Sequence, residues 1–323
     1  MNAPVSVLTP VYNGAEYLAD CIESVLGQDY ADYEYTILNN CSTDGTLEIA
    51  QAYAAKDQRI HVKTNRTFVS AIENHNLAVG LVPRHHKYCK IVSADDWIMP
   101  ECLGKMVALA EAHPTVGIVG CYQRSGDHVR WQGVPPAVSV MSGREAGRVG
   151  LLHGIHVLGT PTSVLYRADL LRMRENFFPH NRSHADTSAC YEAFQHCDFG
   201  FLHEVLSVER VHSGQWTAAM DALNAGSVAY LEVLVRYGSH YLTAPEFAER
   251  KQVVFDRYYR DLGGCVLKLK GSEYWKFHRS RLRELGCHWD WSAIARGTIN
   301  EIVAEAKDPV TAMRKVRAVM RGQ

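Results

Sequence analysis

Lys90-Ile91-Val92-Ser93-Ala94-Asp95-Asp96-Trp97-Ile98-Met99-Pro100 is the stretch on which the fold turns. Ile91 and Val92 read as the end of a buried strand, and they deliver two adjacent carboxylates between apolar flanks. Two acids in such a place are costly to bury unpaired. A divalent cation would relieve that cost, and hard oxygen ligands suit magnesium or manganese. A solvated Asp-Asp turn capping the helix that opens near Pro100 accounts for the same residues. The surrounding chain has to decide between the two.

Upstream, residues 5–9 (Val5-Ser6-Val7-Leu8-Thr9) are short, β-branched and apolar, and Pro10 stops them: a first strand. The loop Val11-Tyr12-Asn13-Gly14 leads to a helix in which Tyr17, Leu18, Cys21, Ile22, Val25 and Leu26 form one apolar stripe, ended at Gly27. A second strand, residues 35–38, runs into the polar cluster Asn39-Asn40-Cys41-Ser42-Thr43-Asp44-Gly45, and a helix through Leu47, Ile49, Ala50 and Tyr53 follows. Residues 60–63 read as a third strand and Ile72, Leu77 and Ala78 as a third helix. Such strand–helix alternation marks a mostly parallel sheet with helices on both faces. Ligands of such sheets bind beyond the carboxyl ends of the strands. Tyr12-Asn13, Asn39-Asn40 and Asp95-Asp96 stand at three such ends, which favours a site over a cap. No GxGxxG follows the first strand and no GxxxxGK[ST] occurs, so dinucleotide and P-loop sites lose their support.

Composition sets the outer bounds. The chain has 323 residues, of which 47% are apolar, enough for a sizeable core. A net charge of -1 argues against wholesale electrostatic binding of nucleic acid. No charge-free apolar run approaches the roughly 18 residues of a membrane span, and the first residues lack the basic and apolar blocks of a secretory signal. Nine cysteines without a CxxC pair read as reduced, mostly buried thiols of a cytoplasmic protein, and their spacing does not indicate zinc.

VSVLTPVYNGAEYLADCIESVLGQDY, ILNNCSTDGT and KIVSADDWIMPE, in this order, resemble the nucleotide-sugar domain of family 2 glycosyltransferases, and the resemblance extends over roughly residues 4–215. It implies a GT-A fold, a Rossmann-like α/β sandwich, and transfer of a sugar from a nucleoside diphosphate with inversion at the anomeric carbon. It also implies that Pro10, Tyr12, Asn40 and Asp95 hold the donor, that Asp96 and His212 hold Mg2+ or Mn2+, and that Asp186 is the catalytic base. Two departures are visible. Asn39-Asn40 stands where the family usually has Asp-Asp, and an amide offers a base edge both donor and acceptor atoms. The Asp-x-Asp metal motif appears as Ser93-Ala94-Asp95 with Asp96 behind it, so the roles of Asp95 and Asp96 are not divided.

The base assignment rests on Ala185-Asp186, where the family usually has Glu-Asp. Inversion needs a group that takes the acceptor proton as the new bond forms. An N-cap for a helix beginning at Thr187 is the structural alternative for Asp186. Residues 159–163 read either as a tight turn feeding the strand Val164-Leu165-Tyr166 or as a place where small residues let a substrate approach the backbone. Residues 116–120 read as a strand followed by a hairpin-like section. Arg210 and His212 fall on one side if the strand through residues 199–208 continues.

From about Met220 strands vanish. Helical stretches over residues 222–242, 246–270, 273–285 and 293–320, interrupted at Pro309, make a second region, so the boundaries are expected at 1–217 for the catalytic domain and 218–323 for the helical one. Basic residues, among them Lys268, Lys270, Arg279, Arg314, Lys315, Arg317 and Arg321, suit docking at the inner face of an anionic membrane, a solvated face packed on the catalytic domain, or a homodimer contact.

The expected function is an inverting glycosyltransferase that moves a sugar from a UDP or dTDP sugar to a glycan or lipid-linked acceptor in cell-surface polysaccharide synthesis. A non-catalytic sugar-nucleotide binder or scaffold of a glycan-assembly complex is the alternative, and a nucleotidyltransferase is disfavoured because PVYNGAEY is not a Gly-rich basic loop.

Overall fold

Every residue of β1 (Val5–Val11) is buried, as expected of a strand flanked by partners on both edges and covered on both faces. β1 pairs in parallel with β2 (Tyr33–Asn39) on one side and with β4 (Tyr88–Ile91) on the other, and β2 pairs in parallel with β3 (Ile60–Thr64). The strand runs through Pro10, two residues beyond the expected end. Its register with β4 ends at Leu8–Ile91, where the Val92 amide donates to the Leu8 carbonyl, whereas Asn40 donates to Val11 from the β2 side. Alternation therefore turns Pro10 toward β4 at a point where the ladder has finished, and its missing N–H costs no bond.

The computed structural model describes residues 3–153, 158–180, 182, 184–212, 220 and 222–307. The remaining strands are β5 (Trp97–Ile98), β6 (Val116–Ser125), β7 (His128–Arg130), β8 (Val140–Met141), β9 (Val164–Arg167) and β10 (Asp198–Glu209). Together they form one mixed sheet in the order β3-β2-β1-β4-β9-β6-β10-β5, with β7 on β6 and β8 on β10. β9 is antiparallel to both its neighbours, and β10 runs parallel to β6. The order reverses beside β1, with β2 to one side and β4 to the other, which opens a crevice at the carboxyl ends of those strands.

α1 (Leu18–Leu26) buries Leu18, Cys21, Ile22 and Val25, the stripe read from the sequence. These residues join Val5, Val7 and Val11 and the inner face of α4 (Cys102–Ala112) in one core. α2 (Thr46–Ala54) packs on β2 and β3, and α3 (Ala71–Val79) on β1 and β2. α5 (Gly143–His153) is a helix within the section read as hairpin-like; the hairpin itself is β6 and β7, turning at Gly126 with φ 55°. α6 (Ala168–Leu171) follows β9, and α7 (Ala185–Ala193) precedes β10.

Contacts divide the chain into two compact units, Met1–Gln215 and Trp216–Gln323. The second contains α8 (Ala225–Tyr241), α9 (Ala244–Leu267), α10 (Ser272–Glu284) and α11 (Trp291–Lys307). α9 opens on a capping box between Thr243 and Glu246 with Pro245 in its first turn. Pro309 and the basic run from Arg314 to Arg321 lie outside the described residues. All nine cysteines are free thiols, six of them buried. Among the described residues no helix is long and apolar enough to cross a membrane.

One buried cation braces the sheet. Lys90, in β4, has no exposed surface, and its Nζ donates to the carbonyls of Thr162 (2.5 Å) and Val164 (3.3 Å), with Met106 Sδ at 3.7 Å. It ties β4 to the 3-10 turn Pro161–Ser163 that leads into β9. Lys90→Ala, which opens a cavity and orphans two carbonyls, is expected to cost about 3–5 kcal/mol. Lys90→Met, which keeps the packed stem, should recover part of that, and urea midpoints at constant m-value read both.

Candidate functional site

The three polar clusters of the sequence meet at the carboxyl edge of β1, β2 and β4. The β1–α1 and β2–α2 loops interlock there. Asn13, with φ 48°, accepts through its side-chain oxygen from the Thr43 amide (2.8 Å), its own amide donates to Ser42 Oγ (2.9 Å), and the Ala15 amide donates to Asp44 (3.1 Å). The Gly14 amide donates to Thr46 Oγ1 at 2.8 Å. Pro10 lies beneath, buried in β1. Tyr12 stands out from this base, 48% exposed, with Phe68 (60% exposed) 4.7 Å away between ring centroids. An exposed aromatic pair beside a polar cleft offers a stacking face. Phe68 carried no signal in the sequence, because a lone aromatic in a polar loop has no periodicity to mark it.

Asn40 is buried. Its Nδ2 donates to the Val69 carbonyl (2.8 Å), while its Oδ1 accepts from the Val69 amide (3.1 Å) and from Asn65 Nδ2 (2.9 Å). The amide thus pairs with the Val69 backbone as one peptide pairs with another and pins the segment that carries Phe68. A carboxylate there would face the Val69 carbonyl without a proton to give. Asn39 Oδ1 accepts from the Ser42 amide at 3.1 Å and helps to hold the turn.

Asp95 and Asp96 do not cap the following helix. α4 begins at Cys102 with Glu101 at its N-cap, and two residues of β5 intervene. Asp96 is 4% exposed and accepts from Thr162 Oγ1 (2.7 Å) and from the Arg210 amide (3.2 Å). Thr162 Oγ1 in turn accepts from the Ser93 amide at 3.1 Å. Residues 159–163 are therefore a tight turn, and its hydroxyl faces the acidic pair. Burial, with Asp95 alongside, pushes the Asp96 carboxyl up to about 7. Asp95 is partly exposed, and its Oδ2 lies 3.1 Å from His212 Nε2.

Arg210 and His212 reach this place by a different route from the one expected. β10 ends at Glu209, where the Arg210 amide turns to Asp96 instead of a strand partner. The Arg210 guanidinium lies over Tyr17 and Trp97, 4.8 and 4.9 Å from the ring centroids, and donates to the Asp95 carbonyl (3.1 Å) and to Asp20 (2.6 Å). His212 packs on Tyr17, with ring centroids 4.6 Å apart. Two carboxylates and an imidazole are a donor set that manganese or magnesium accepts, and a cation there would offset the charge that raises Asp96. Asp95, Asp96 and His212 are not drawn into a closed three-ligand cluster; among the described residues that geometry occurs at Glu34, His85 and His86.

Asp186 is not the N-cap of its helix. α7 starts two residues earlier than expected, at Ala185 with His184 at the N-cap, and Asp186 is its second residue. A carboxylate in the first turn is favoured by the helix dipole. Its carboxylate is partly exposed and has no hydrogen-bond partner among the described residues. It acts electrostatically on His75 and Tyr166. Glu73 and His75 belong to the first turns of α3, which start from the carboxyl edge after β3, and His180 lies 3.2 Å from Glu73. His180 and Asp186 therefore lie over the same edge as the acidic pair.

The sheet order and the acidic pair at its carboxyl edge define a GT-A-type fold. The family model described as Glycosyl transferase family 2 matches residues 6–173, more than half of the chain, and the chain belongs to that family. Among curated relatives, TuaG of Bacillus subtilis strain 168, named for teichuronic acid biosynthesis as a glycosyltransferase, is 40% identical over 96 residues, 28% of this chain and 36% of TuaG. The chain thus spans well under half the length of that relative. Among solved structures, residues 1–349 of Staphylococcus aureus TarS in complex with UDP-GlcNAc superpose with a TM-score of 0.59 at 18% identity, covering 79% of this chain and 72% of that one. The mannosyltransferase PcManGT of Pyrobaculum calidifontis, in complex with GDP-Man and Mn2+, has a TM-score of 0.59 at 16% identity and covers 98% of this chain and 85% of its own. These likenesses establish the fold.

Two measurements probe the geometry. A carboxyl held near 7 in the folded chain, against about 3.9 unfolded, binds its proton more tightly when folded. The cost of its charge is fully present above pH 7 and falls away as pH drops toward 4. In a chelator, the stability of the wild type relative to Asp96→Asn should thus rise by about 1–2 kcal/mol between pH 7.5 and 5.5, read by urea unfolding. Asn40→Asp, which restores the usual family residue, should cost about 1–3 kcal/mol in ligand-free protein, because it loses the donor to Val69.

Proposed function

We propose that this protein transfers a sugar, with inversion, from a nucleoside-diphosphate sugar to a hydroxyl of a glycan or lipid-linked acceptor in cell-surface polysaccharide synthesis. The observation that carries the reading is the buried Asp96, held by Thr162 and Arg210 next to Asp95 and His212 at the carboxyl edge of a GT-A sheet. The family assignment, the name of TuaG and the UDP-GlcNAc and GDP-Man complexes of the fold relatives support it.

In this reading Tyr12 and Phe68 receive the nucleobase on their exposed faces, and Pro10 and the Asn40-anchored loop form its floor. Asp95, Asp96 and His212 would hold Mg2+ or Mn2+. The metal, when bound, supplies positive charge where the leaving group develops negative charge. Asp186 accepts the acceptor's hydroxyl proton from the far side of the sugar, a task for which its partly exposed carboxylate suits it. The donor is expected to carry UDP or dTDP. Residues 1–217 would serve as the catalytic domain, and 218–323 as a helical region whose basic residues suit a membrane or dimer contact.

A thermal-shift panel of nucleoside diphosphates and their sugar conjugates, with and without manganese, tests this reading. A ligand that binds only the folded chain raises its melting temperature by mass action. One base is expected to give a manganese-dependent shift that Asp96→Ala abolishes; no shift with any nucleotide would sink the proposal. With the donor so identified, Asp186→Ala should lower kcat by about 10²–10⁴-fold while the donor shift persists. Turnover near the wild-type rate would remove Asp186 from the role of base.

A further inference from the structure

At the amino edge of the sheet, far along β1 from the acidic pair, a second cluster has no part in the reading above. His85 and His86 close the turn that starts at Pro83, where the His86 amide donates to the Pro83 carbonyl at 3.1 Å. The next residue, Lys87, donates to the Pro4 carbonyl at 2.9 Å, so the turn is stitched to the start of β1. Arg172 braces it further by donating to the carbonyls of Pro83 (2.6 Å) and His86 (3.4 Å). Glu34, near the start of β2, lies in register with Ser6 of β1. Ligand atoms of Glu34, His85 and His86 all lie within 4.8 Å of one another.

We infer that Glu34, His85 and His86 form a zinc site that clips the amino ends of β1 and β2 to the turn before β4. His86 is the organising ligand. It is 4% exposed, and its Nδ1 lies 2.6 Å from Ser6 Oγ. With Nδ1–H donated to Ser6, the Nε2 lone pair faces Glu34. An outer partner that fixes tautomer and ring orientation is the usual arrangement of a metal-binding histidine.

The gap between His86 Nε2 and Glu34 Oε2 is 3.8 Å, too long for a hydrogen bond. It is close to the ~3.4–3.8 Å that separates two ligands held about 2.0–2.1 Å from one zinc ion at open tetrahedral angles. The His85 ring stands edge-on to His86 with centroids 4.5 Å apart and is exposed to solvent. A cleft of about 460 Å³ lined by Ser6, Glu34, Thr36, His61, Lys63 and Pro83 opens beside Glu34.

Two imidazoles and one carboxylate favour zinc over the harder magnesium and manganese, so the chemistry of the two sites differs. The charges around the trio are mixed. Arg172 opposes a cation, whereas Glu34 and Asp32 favour it at His86.

Equilibrium dialysis of the full chain against zinc chloride tests the site, in an Asp96→Asn, His212→Ala background that removes the other candidate cation site. One zinc per chain is expected to bind at micromolar concentration and to raise the melting temperature in proportion to its occupancy. Glu34→Gln and His85→Ala change side chains that reach solvent and should leave the fold intact, as circular dichroism would verify. Each should weaken zinc binding by about tenfold or more. No zinc bound, or wild-type affinity in both variants, would overturn the assignment. Because the assay involves no nucleotide, its failure is separate from any failure of the transferase reading.

Discussion

The hydrogen bond from Thr162 to Asp96 is the contact through which sheet and site depend on each other. A carboxylate this deeply buried needs donors that the surrounding structure holds fixed. Thr162 supplies one from a 3-10 turn, and Lys90 grips that same turn by its carbonyl from inside the core. Arg210 supplies the other through its backbone, at the point where β10 leaves the sheet. β4, the turn before β9 and the end of β10 must therefore all be in place before the acidic pair has its shape. Elements distant in sequence meet at one carboxyl group.

The arrangement also explains how the site can be ready for a cation yet stable without one. Asp95 is partly exposed and lies 3.1 Å from His212, while Asp96 is sheltered and holds its proton to near neutrality. The partly exposed acid and the imidazole form the outer part of the site, and the sheltered acid forms its base. On the opposite wall, Asn40 spends its amide on the backbone of Val69. Support there comes from a neutral group that gives and accepts at once, and Tyr12 and Phe68 are left as the exposed surface.

Much of the first unit, Met1–Gln215, was legible along the chain because its signals are local. The apolar stripe of α1, the buried strands β1 and β2 and the polar ends at Tyr12-Asn13, Asn39-Asn40 and Asp95-Asp96 follow from periodicity and from breaks in it. Asp186 was legible as an acid near a helix start, but the start itself was misplaced by two residues, since His184 is a poor cap that no sequence rule would choose. α5 was hidden in a Gly-rich stretch whose composition reads as turn. The continuation of β10 through Arg210 and His212 looked natural from alternation, yet the strand ends at Glu209 because a carboxylate, and no neighbouring strand, accepts the next amide.

By itself the sequence determined the alternation of strands and helices, the parallel half of the sheet, the family and the carboxylates that meet at its edge. Those follow from the period of hydrophobic residues and from motifs only a few residues long. Tertiary structure alone decided which of those carboxylates is sheltered, that Thr162 and Arg210 hold it, that Phe68 stands beside Tyr12, and that Glu34 meets His85 and His86 across some fifty positions of chain. The reason is physical. Burial and hydrogen bonding between residues far apart in sequence depend on how strands pair and turns pack, and no local pattern encodes either.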